Sequence, residues 1–373
     1  MYNSKKGITY VFGAGRLNKL NSDSLKAEEF FYGYQYFAKK IKDLKIIEME
    51  FPINSNNKIL EFVDKVLRKI TQLPIYTKDI LFVKNYNILK NTQKLILTTD
   101  LLALSMLPFL VVVKIFHKID IFVIVMGLFG RQPKNRAVKI FQNIFIGILN
   151  KVTKCYVFLG RGEYSNAVSM KPKNSNKFRF LPFCIDTKFW KANNSDLINN
   201  KDGILFIGND GKRDYKLVEK IAKSLPEINF TFITSQIKEV ELKNVNLIKG
   251  SWGENLLSDE EIRKYYQNSK LTIIPLIETY QPSGQSVALQ SMSCGTPVMI
   301  SETKGFWDKE KFIHDENIVF IKNNDLGIWV NEIKKYYFNE DYLKQISITG
   351  ISTINDEFNL SSFNSNLEKI IYQ

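Results

Sequence analysis

The sequence predicts an α/β protein built as two layered domains, each a parallel sheet covered by helices. Three observations predict this. The chain has 373 residues, more than one ordinary core accommodates and about right for two. Short apolar runs alternate with helical patterns along its whole length, the pattern of parallel sheets with crossover helices. A polar, Asn-rich stretch at 182–203 interrupts that alternation near the middle, placing a boundary between residues 1–183 and 184–373.

In the first half the strand-like runs are ITYVFG (8–13), KIIEMEF (45–51), LILTT (95–99), IFVIVMG (121–127), CYVFLG (155–160) and FRFLPF (178–183). In the second half they are ILFIG (204–208), NFTFITS (229–235), VNLIKG (245–250), LTIIPL (271–276), PVMIS (297–301) and NIVFI (317–321). Each half therefore reads as a Rossmann-like sandwich. Residues 27–41, AEEFFYGYQYFAKKI, read as one helix with aromatic and basic faces. The last helix, within 359–373, follows the second sheet and is free to pack back on the first domain.

The most membrane-like stretch is 101–130. Pro108 and the polar cluster Lys114, His117, Lys118 and Asp120 keep any run below the 18 or so residues that a span requires, so it reads as a buried helix, a turn and a buried strand. The N-terminal residues lack the apolar run of a signal peptide. The three cysteines, Cys155, Cys184 and Cys294, are widely spaced in apolar sequence and read as free buried thiols in a reducing compartment. The expected location is cytoplasmic. His117 and His314 lie far apart, so neither a metal cluster nor a His-based triad is expected, and both read as structural.

Charge is distributed unevenly. Residues 1–180 carry 30 Lys/Arg against 12 Asp/Glu, whereas residues 181–373 carry 22 against 26. A strongly basic half suggests an anionic partner, either a membrane face or a nucleic acid. No recognition motif for nucleic acid accompanies the charge, so nucleic acid is set aside and an anionic membrane surface is preferred. Two cationic clusters are candidates for that contact: Lys39, Lys40, Lys42 and Lys45, and Arg131, Lys134, Arg136 and Lys139.

The chemistry concentrates at strand ends. Ligands of open parallel sheets bind beyond the carboxyl ends of strands, where helix N-termini offer unpaired N–H groups and a partial positive charge suited to phosphate. The segment QPSGQSVALQSMSCGTPVMIS (281–301) follows one apolar strand and enters another, with Ser283, Gly284, Gln285 and Ser286 at the helix start and Gln290 further along. A comparable turn, IGNDGKRDY, puts Gly208, Asn209, Lys212 and Arg213 between a strand and a helix; it lacks the GxGxxG spacing of a dinucleotide site.

These two segments, with FRFLPFCIDTKFW as a domain-linking stretch, resemble the donor-sugar domain of glycosyltransferase family 4, over about residues 155–350. The resemblance implies a GT-B fold: two Rossmann-like domains facing across a cleft. It also implies a retaining transferase that moves a sugar from a nucleotide-sugar donor to a lipid-linked or polysaccharide acceptor, with no metal and no other cofactor. A non-catalytic GT-B binding or scaffold protein is the alternative.

Three positions in two motifs depart from the family pattern. The Glu-x7-Glu motif falls on Pro282 and Gln290, leaving the amide of Gln290 for the ribose and shifting donor-sugar contacts to Ser283, Gln285 and backbone amides. Of the two phosphate cations, Asn209 replaces the first and Arg213 matches the second, with Lys212 able to compensate. Glu278 and Glu302 lie on the donor side. Across the expected cleft, the resemblance places the glycine-rich turn Gly13, Gly15 and Arg16 beside the phosphates, with Gly127, Arg161 and Glu163 at neighbouring strand ends.

Overall fold

The computed structural model describes residues 7–22, 25–49, 58–77, 82–193, 198, 200–250 and 257–373. The first sheet contains β1 (Ile8–Phe12), β2 (Leu44–Glu48), β3 (Lys94–Leu97), β4 (Asp120–Val125), β5 (Cys155–Phe158) and β6 (Phe178–Phe180), all parallel, in the order β2-β1-β3-β4-β5-β6. The second contains β7 (Ile204–Ile207), β8 (Phe230–Ile233), β9 (Val245–Ile248), β10 (Leu271–Ile274), β11 (Val298–Ser301) and β12 (Val319–Ile321), also parallel, in the order β12-β11-β10-β7-β8-β9. Every apolar run expected to be a strand contributes one, trimmed at its ends; residues 50 and 51 of the second run lie outside the described residues.

The helices of the first domain are α1 (Arg16–Asn21), α2 (Tyr34–Ala38), α3 (Lys58–Thr71), α4 (Phe82–Leu89), α5 (Asp100–Ser105), α6 (Leu107–Phe116), α7 (Arg136–Val152) and α8 (Arg161–Met170). Those of the second are α9 (Tyr215–Ser224), α10 (Asp259–Asn268), α11 (Gln285–Ser293), α12 (Leu326–Tyr337) and α13 (Glu340–Glu357), followed by α14 (Leu360–Tyr372). No described helix is long and apolar enough to cross a membrane.

The single helix expected over 27–41 is corrected: a 3-10 turn, Glu29–Phe31, and α2 are separated by Tyr32 and Gly33 in left-handed conformation (φ 47° and 80°). The break lets Phe31, Tyr34 and Phe37 all reach the rings of β1, with Tyr34 edge-on to Tyr10 and Phe12. Gly33 also lies directly beneath α14, whose Leu367 and Asn364 would collide with a side chain there.

That contact is part of a wider return. The helix α14 does pack on the first domain: Tyr36 Oη and Lys40 Nζ reach Glu368 (2.6 and 2.8 Å), and Lys94 Nζ donates to the carbonyl of Ile371 (2.6 Å). Lys40 is thereby engaged and Lys45 pairs with Asp43, while Lys39 and Lys42 of the same cluster are exposed. One apolar core consequently runs through both domains, from Tyr10 and Phe12 through Trp190 to Leu289, Ile300 and Leu367. Each sheet has a second core on its outer face.

The region 101–130 forms α5, α6 and β4. Its strand is buried as expected, but α6 is not a buried helix, since Ile115 and Phe116 stand in solvent. All three cysteines are buried free thiols. His117 meets Tyr86 Oη at 3.3 Å, and His314 Nδ1 accepts from the backbone N–H of Phe320.

Candidate donor site at the domain seam

The helix α11 occupies the centre of the molecule, and every residue from Val287 to Ser293 is buried. It is short because Gly295 and Pro297 end it and feed β11. Its start, Gly284, is left-handed (φ 80°) and leaves the first-turn N–H groups without a side-chain cap. Ser283, immediately before, is buried, and its Oγ has no hydrogen-bond partner among the described residues. Buried hydroxyls are ordinarily satisfied, so an unmet one beside open helix N–H groups makes this corner a candidate anion site.

Arg213 completes this corner. Its side chain lies flat over Gly208, where a Cβ would stand 2.6 Å from Nε, and its guanidinium approaches Gly284. The cation is buried and held by Asp210 (2.8 Å), with Nε donating to the carbonyl of Ile207 (3.4 Å). Lys212 sits on the same turn, half-exposed, its backbone N–H donated to Asp210 Oδ1. Ser286 is half-buried in the first turn of α11. Phosphate oxygens at this corner would meet a guanidinium, a hydroxyl and a helix N-terminus together.

The two glutamines of the motif face the other domain. Gln285 Nε2 donates to the carbonyl of Leu159 (2.9 Å) at the end of β5. Gln290 Nε2 donates to Glu29 Oε1 (2.8 Å), and Gln290 Oε1 accepts from Tyr266 Oη (3.2 Å). Trp190 Nε1 donates to the same Glu29 oxygen (2.7 Å), and the N–H of Asp186 approaches the other (3.4 Å). The amide expected at a ribose is thus committed to a buried interdomain network. Glu29 also explains why position 290 is an amide: a carboxylate there would face another carboxylate in a buried space.

Close backbone approach tightens the seam. Pro282 packs on Gly160, where a Cβ would be 2.7 Å from the Pro282 ring, and Gly162 abuts the carbonyl of Lys304, 2.2 Å from a hypothetical Cβ. Pro282 therefore serves contact between the domains.

Arg161 and Glu163, expected on the cleft side, are both engaged by other residues of the protein. Arg161 pairs with Asp308 (3.3 Å) and Glu310 (3.1 Å) of the second domain and stacks on Phe180. Glu163 is buried and accepts the N–H groups of Gly127 (2.9 Å) and Phe129 (3.0 Å), fastening the turn after β4. Gly127 itself (φ 109°) lies against Gln281.

Asn209, standing where the family has a cation, ties three strand ends. Its Nδ2 donates to the carbonyl of Gly250 (2.6 Å), and its Oδ1 accepts from Thr234 Oγ1 (3.1 Å) and Ser235 N–H (2.7 Å). Glu278 accepts the N–H groups of Thr279 and Lys304 (both 3.0 Å), and Glu302 pairs with Lys309. The turn after β1 is different: a side chain added at Gly13 or Gly15 would meet nothing within 4 Å, so that turn borders open space. Arg16 follows it and stacks on Phe30 (5.3 Å).

Glu29, Trp190 and Tyr266 are the members of the site that the sequence reading missed. An acidic pair opening a dense aromatic run, AEEFFYGY, was the available signal. Burial pushes the Glu29 carboxyl up to about 7, against the lowering effect of its bonds from Gln290 and Trp190. Burial and the nearby Asp100 push Glu163 up to about 8.

Two predictions follow from this network. Gln290→Glu should destabilise the fold by about 2–4 kcal/mol, read as a lowered thermal midpoint, because it buries two facing carboxylates. A rise in both stability and nucleotide affinity would instead make residue 290 a ribose contact. The second concerns pH. Glu29 binds its proton more tightly folded than unfolded, so its contribution is complete below its unfolded value near 4.5 and is lost as pH rises through about 7. Thermal stability should fall across that window, by on the order of 3 kcal/mol from this group. Glu29→Gln should flatten the slope there, while Glu163 keeps a residual fall toward about 8. An unchanged slope in Glu29→Gln would remove Glu29 as its source.

No protein-family model matches the chain, and no curated protein matches it in sequence. Solved structures do match over its full length. HepE of Anabaena, in complex with UDP and glucose, overlays with a TM-score of 0.66 at 10% identity, covering 99% of this chain and 100% of that one. Sucrose-phosphate synthase from Thermosynechococcus elongatus gives 0.67 at 12%, covering 99% of each. A glycosyltransferase from Rickettsia africae gives 0.66 at 12%, covering all of both chains. Two parallel six-stranded sheets meeting at one seam, superposable end to end on these structures, constitute the GT-B fold.

Proposed function

We propose that this protein is a retaining glycosyltransferase of the family 4 type, moving a hexose from a nucleotide-diphosphate sugar to a lipid-linked or polysaccharide acceptor at the cytoplasmic face of a membrane. The observation that carries this reading is the corner formed by Ser283 Oγ, the start of α11 and the Arg213 guanidinium. These groups suit the leaving diphosphate: charge that develops on it as the glycosidic bond breaks would meet preoriented N–H dipoles and a cation in a dry site. The neighbours lend support, since HepE has been solved with UDP-glucose. The open turn at Gly13, Gly15 and Arg16 lies on the opposite domain, where a donor phosphate or an acceptor has room.

A second reading has specific support. Gln285 and Gln290 are spent across the seam, Arg213 is already paired with Asp210, and proline fills the place of a glutamate. A GT-B scaffold that holds its domains shut and has lost chemistry would look the same at these positions.

A thermal-shift panel with UDP, GDP, ADP and CMP tests the donor site, because a ligand that binds only the folded state raises its midpoint. One diphosphate should stabilise the protein, and Arg213→Ala should weaken that ligand by about 1.5–3 kcal/mol while leaving the nucleoside almost unaffected. Equal loss for both would make Arg213 structural. With Arg213 and α11 supplying the positive charge, transfer is proposed to need no divalent metal. Sugar transfer should therefore persist in EDTA, and complete loss restored by metal would count against it. Absence of transfer and of donor hydrolysis with every donor sugar would favour the scaffold.

A further inference from the structure

The helices α3, α6 and α7 lie on one face of the first sheet, with α3 and α6 each packed beside α7. Right-handed crossovers place them there together, since the connections from β2 to β3, β3 to β4 and β4 to β5 all run the same way along the sheet. The helix α3 is inverted relative to an ordinary surface helix. It buries Asp64 and Thr71 and exposes Ile59, Phe62, Val63 and Val66, which share one helical stripe by their spacing. Phe62 is 66% exposed and Ile59 76%. On α6, Ile115 and Phe116 are each 71% exposed, and on α7, Ile140, Ile144 and Ile148 form a further outward stripe. Apolar surface this extensive marks an interaction site.

The charge around it identifies the partner. Residues 131–154, which include all of α7, contain six Lys/Arg and no Asp/Glu. Of these, Lys134, Arg136 and Lys139 are exposed at the start of α7, beside Ile140. Lys58 and Lys69 are exposed on α3, where Lys65 is paired with Glu61 (2.9 Å), and Lys118 follows α6. A second copy of this chain is a poor match, because a two-fold contact would set these cations against their own counterparts. Exposed rings and branched aliphatic side chains fringed by lysine and arginine instead suit the boundary between anionic headgroups and acyl chains.

We infer that this three-helix face seats the protein on an anionic lipid bilayer, with Phe62, Phe116 and Ile144 entering the headgroup boundary and the α7 cations meeting lipid phosphate. The inference deepens the proposed action on a membrane-held acceptor and rests on that reading only for its purpose.

Co-sedimentation of the full chain with vesicles tests it, using phosphatidylcholine alone or with roughly one-third phosphatidylglycerol. The protein should pellet with the mixed vesicles only, and less so as salt screens the charges. Two variants separate the contributions: Phe62→Ser/Phe116→Ser/Ile144→Ser, and Lys134→Glu/Arg136→Glu/Lys139→Glu. Each should lower the vesicle-bound fraction at least about tenfold with an unchanged circular dichroism spectrum, since all six side chains are exposed. The nucleotide thermal shift should persist in both variants. If neither triple variant loses vesicle binding, or the wild-type protein ignores the mixed vesicles at low salt, the inference is overturned. A wild-type dimer in sedimentation velocity that the serine variant dissociates would also overturn it and make the face a self-contact. Loss of the nucleotide response in the wild type with intact vesicle binding would remove the donor reading alone.

Discussion

The buried carboxyl of Glu29 is the interaction on which the arrangement of the two domains turns. It comes from the first domain, and both of its side-chain donors come from the segments that follow the first sheet: Trp190 from the linker and Gln290 from the central helix. A carboxyl group removed from water needs donors on its oxygens, and the seam supplies them at 2.7 and 2.8 Å. Once they are in place, the domains cannot separate without exposing the core that runs through Trp190, Tyr266 and Leu289. The relative position of the two sheets, and hence the shape of any cleft between them, follows from this contact.

The same constraint explains the departures in the central motif. Gln285 reaches the Leu159 carbonyl, Gln290 reaches Glu29, and Pro282 rests on Gly160. Pro282 and Gln290, the two departures of the central motif, both touch the opposite domain, whereas Asn209 bonds strand ends within its own. Ser283, the first turn of α11 and Arg213 are the groups on which the proposed phosphate contact rests.

The first domain is bounded on its two faces by different solutions to covering a sheet. On one face, the broken aromatic segment around α2 and the returning α14 bury Tyr10, Phe12 and Phe37. On the other, α3, α6 and α7 cover the sheet but turn apolar stripes outward. A return helix from the far end of the chain closes one face, while the other is left suited to a partner outside the chain.

The sequence by itself determined the elements. Near-continuous apolar runs such as ITYVFG and CYVFLG become strands wherever the chain can bury both faces, and glycine or a polar loop ends them, so all twelve strands were legible. The helix start at Pro282-Ser283-Gly284 and the cation Arg213 were legible for the same reason, because strand-to-helix turns have local chemistry. The tertiary structure alone decided which side chains meet. Glu29 and Gln290 are 261 residues apart, and no periodicity in either segment encodes their pairing. The break at Tyr32–Gly33 came from rings seeking the core of β1, which overrode a helical pattern. Arg161 and Glu163 open a helix at a strand end, which local pattern shows, but their partners, acidic groups of the other domain and N–H groups of a neighbouring turn, are set by tertiary packing. Local pattern sets backbone conformation through propensity and burial of one face, whereas long-range partners are chosen by the packing of segments that the pattern does not relate.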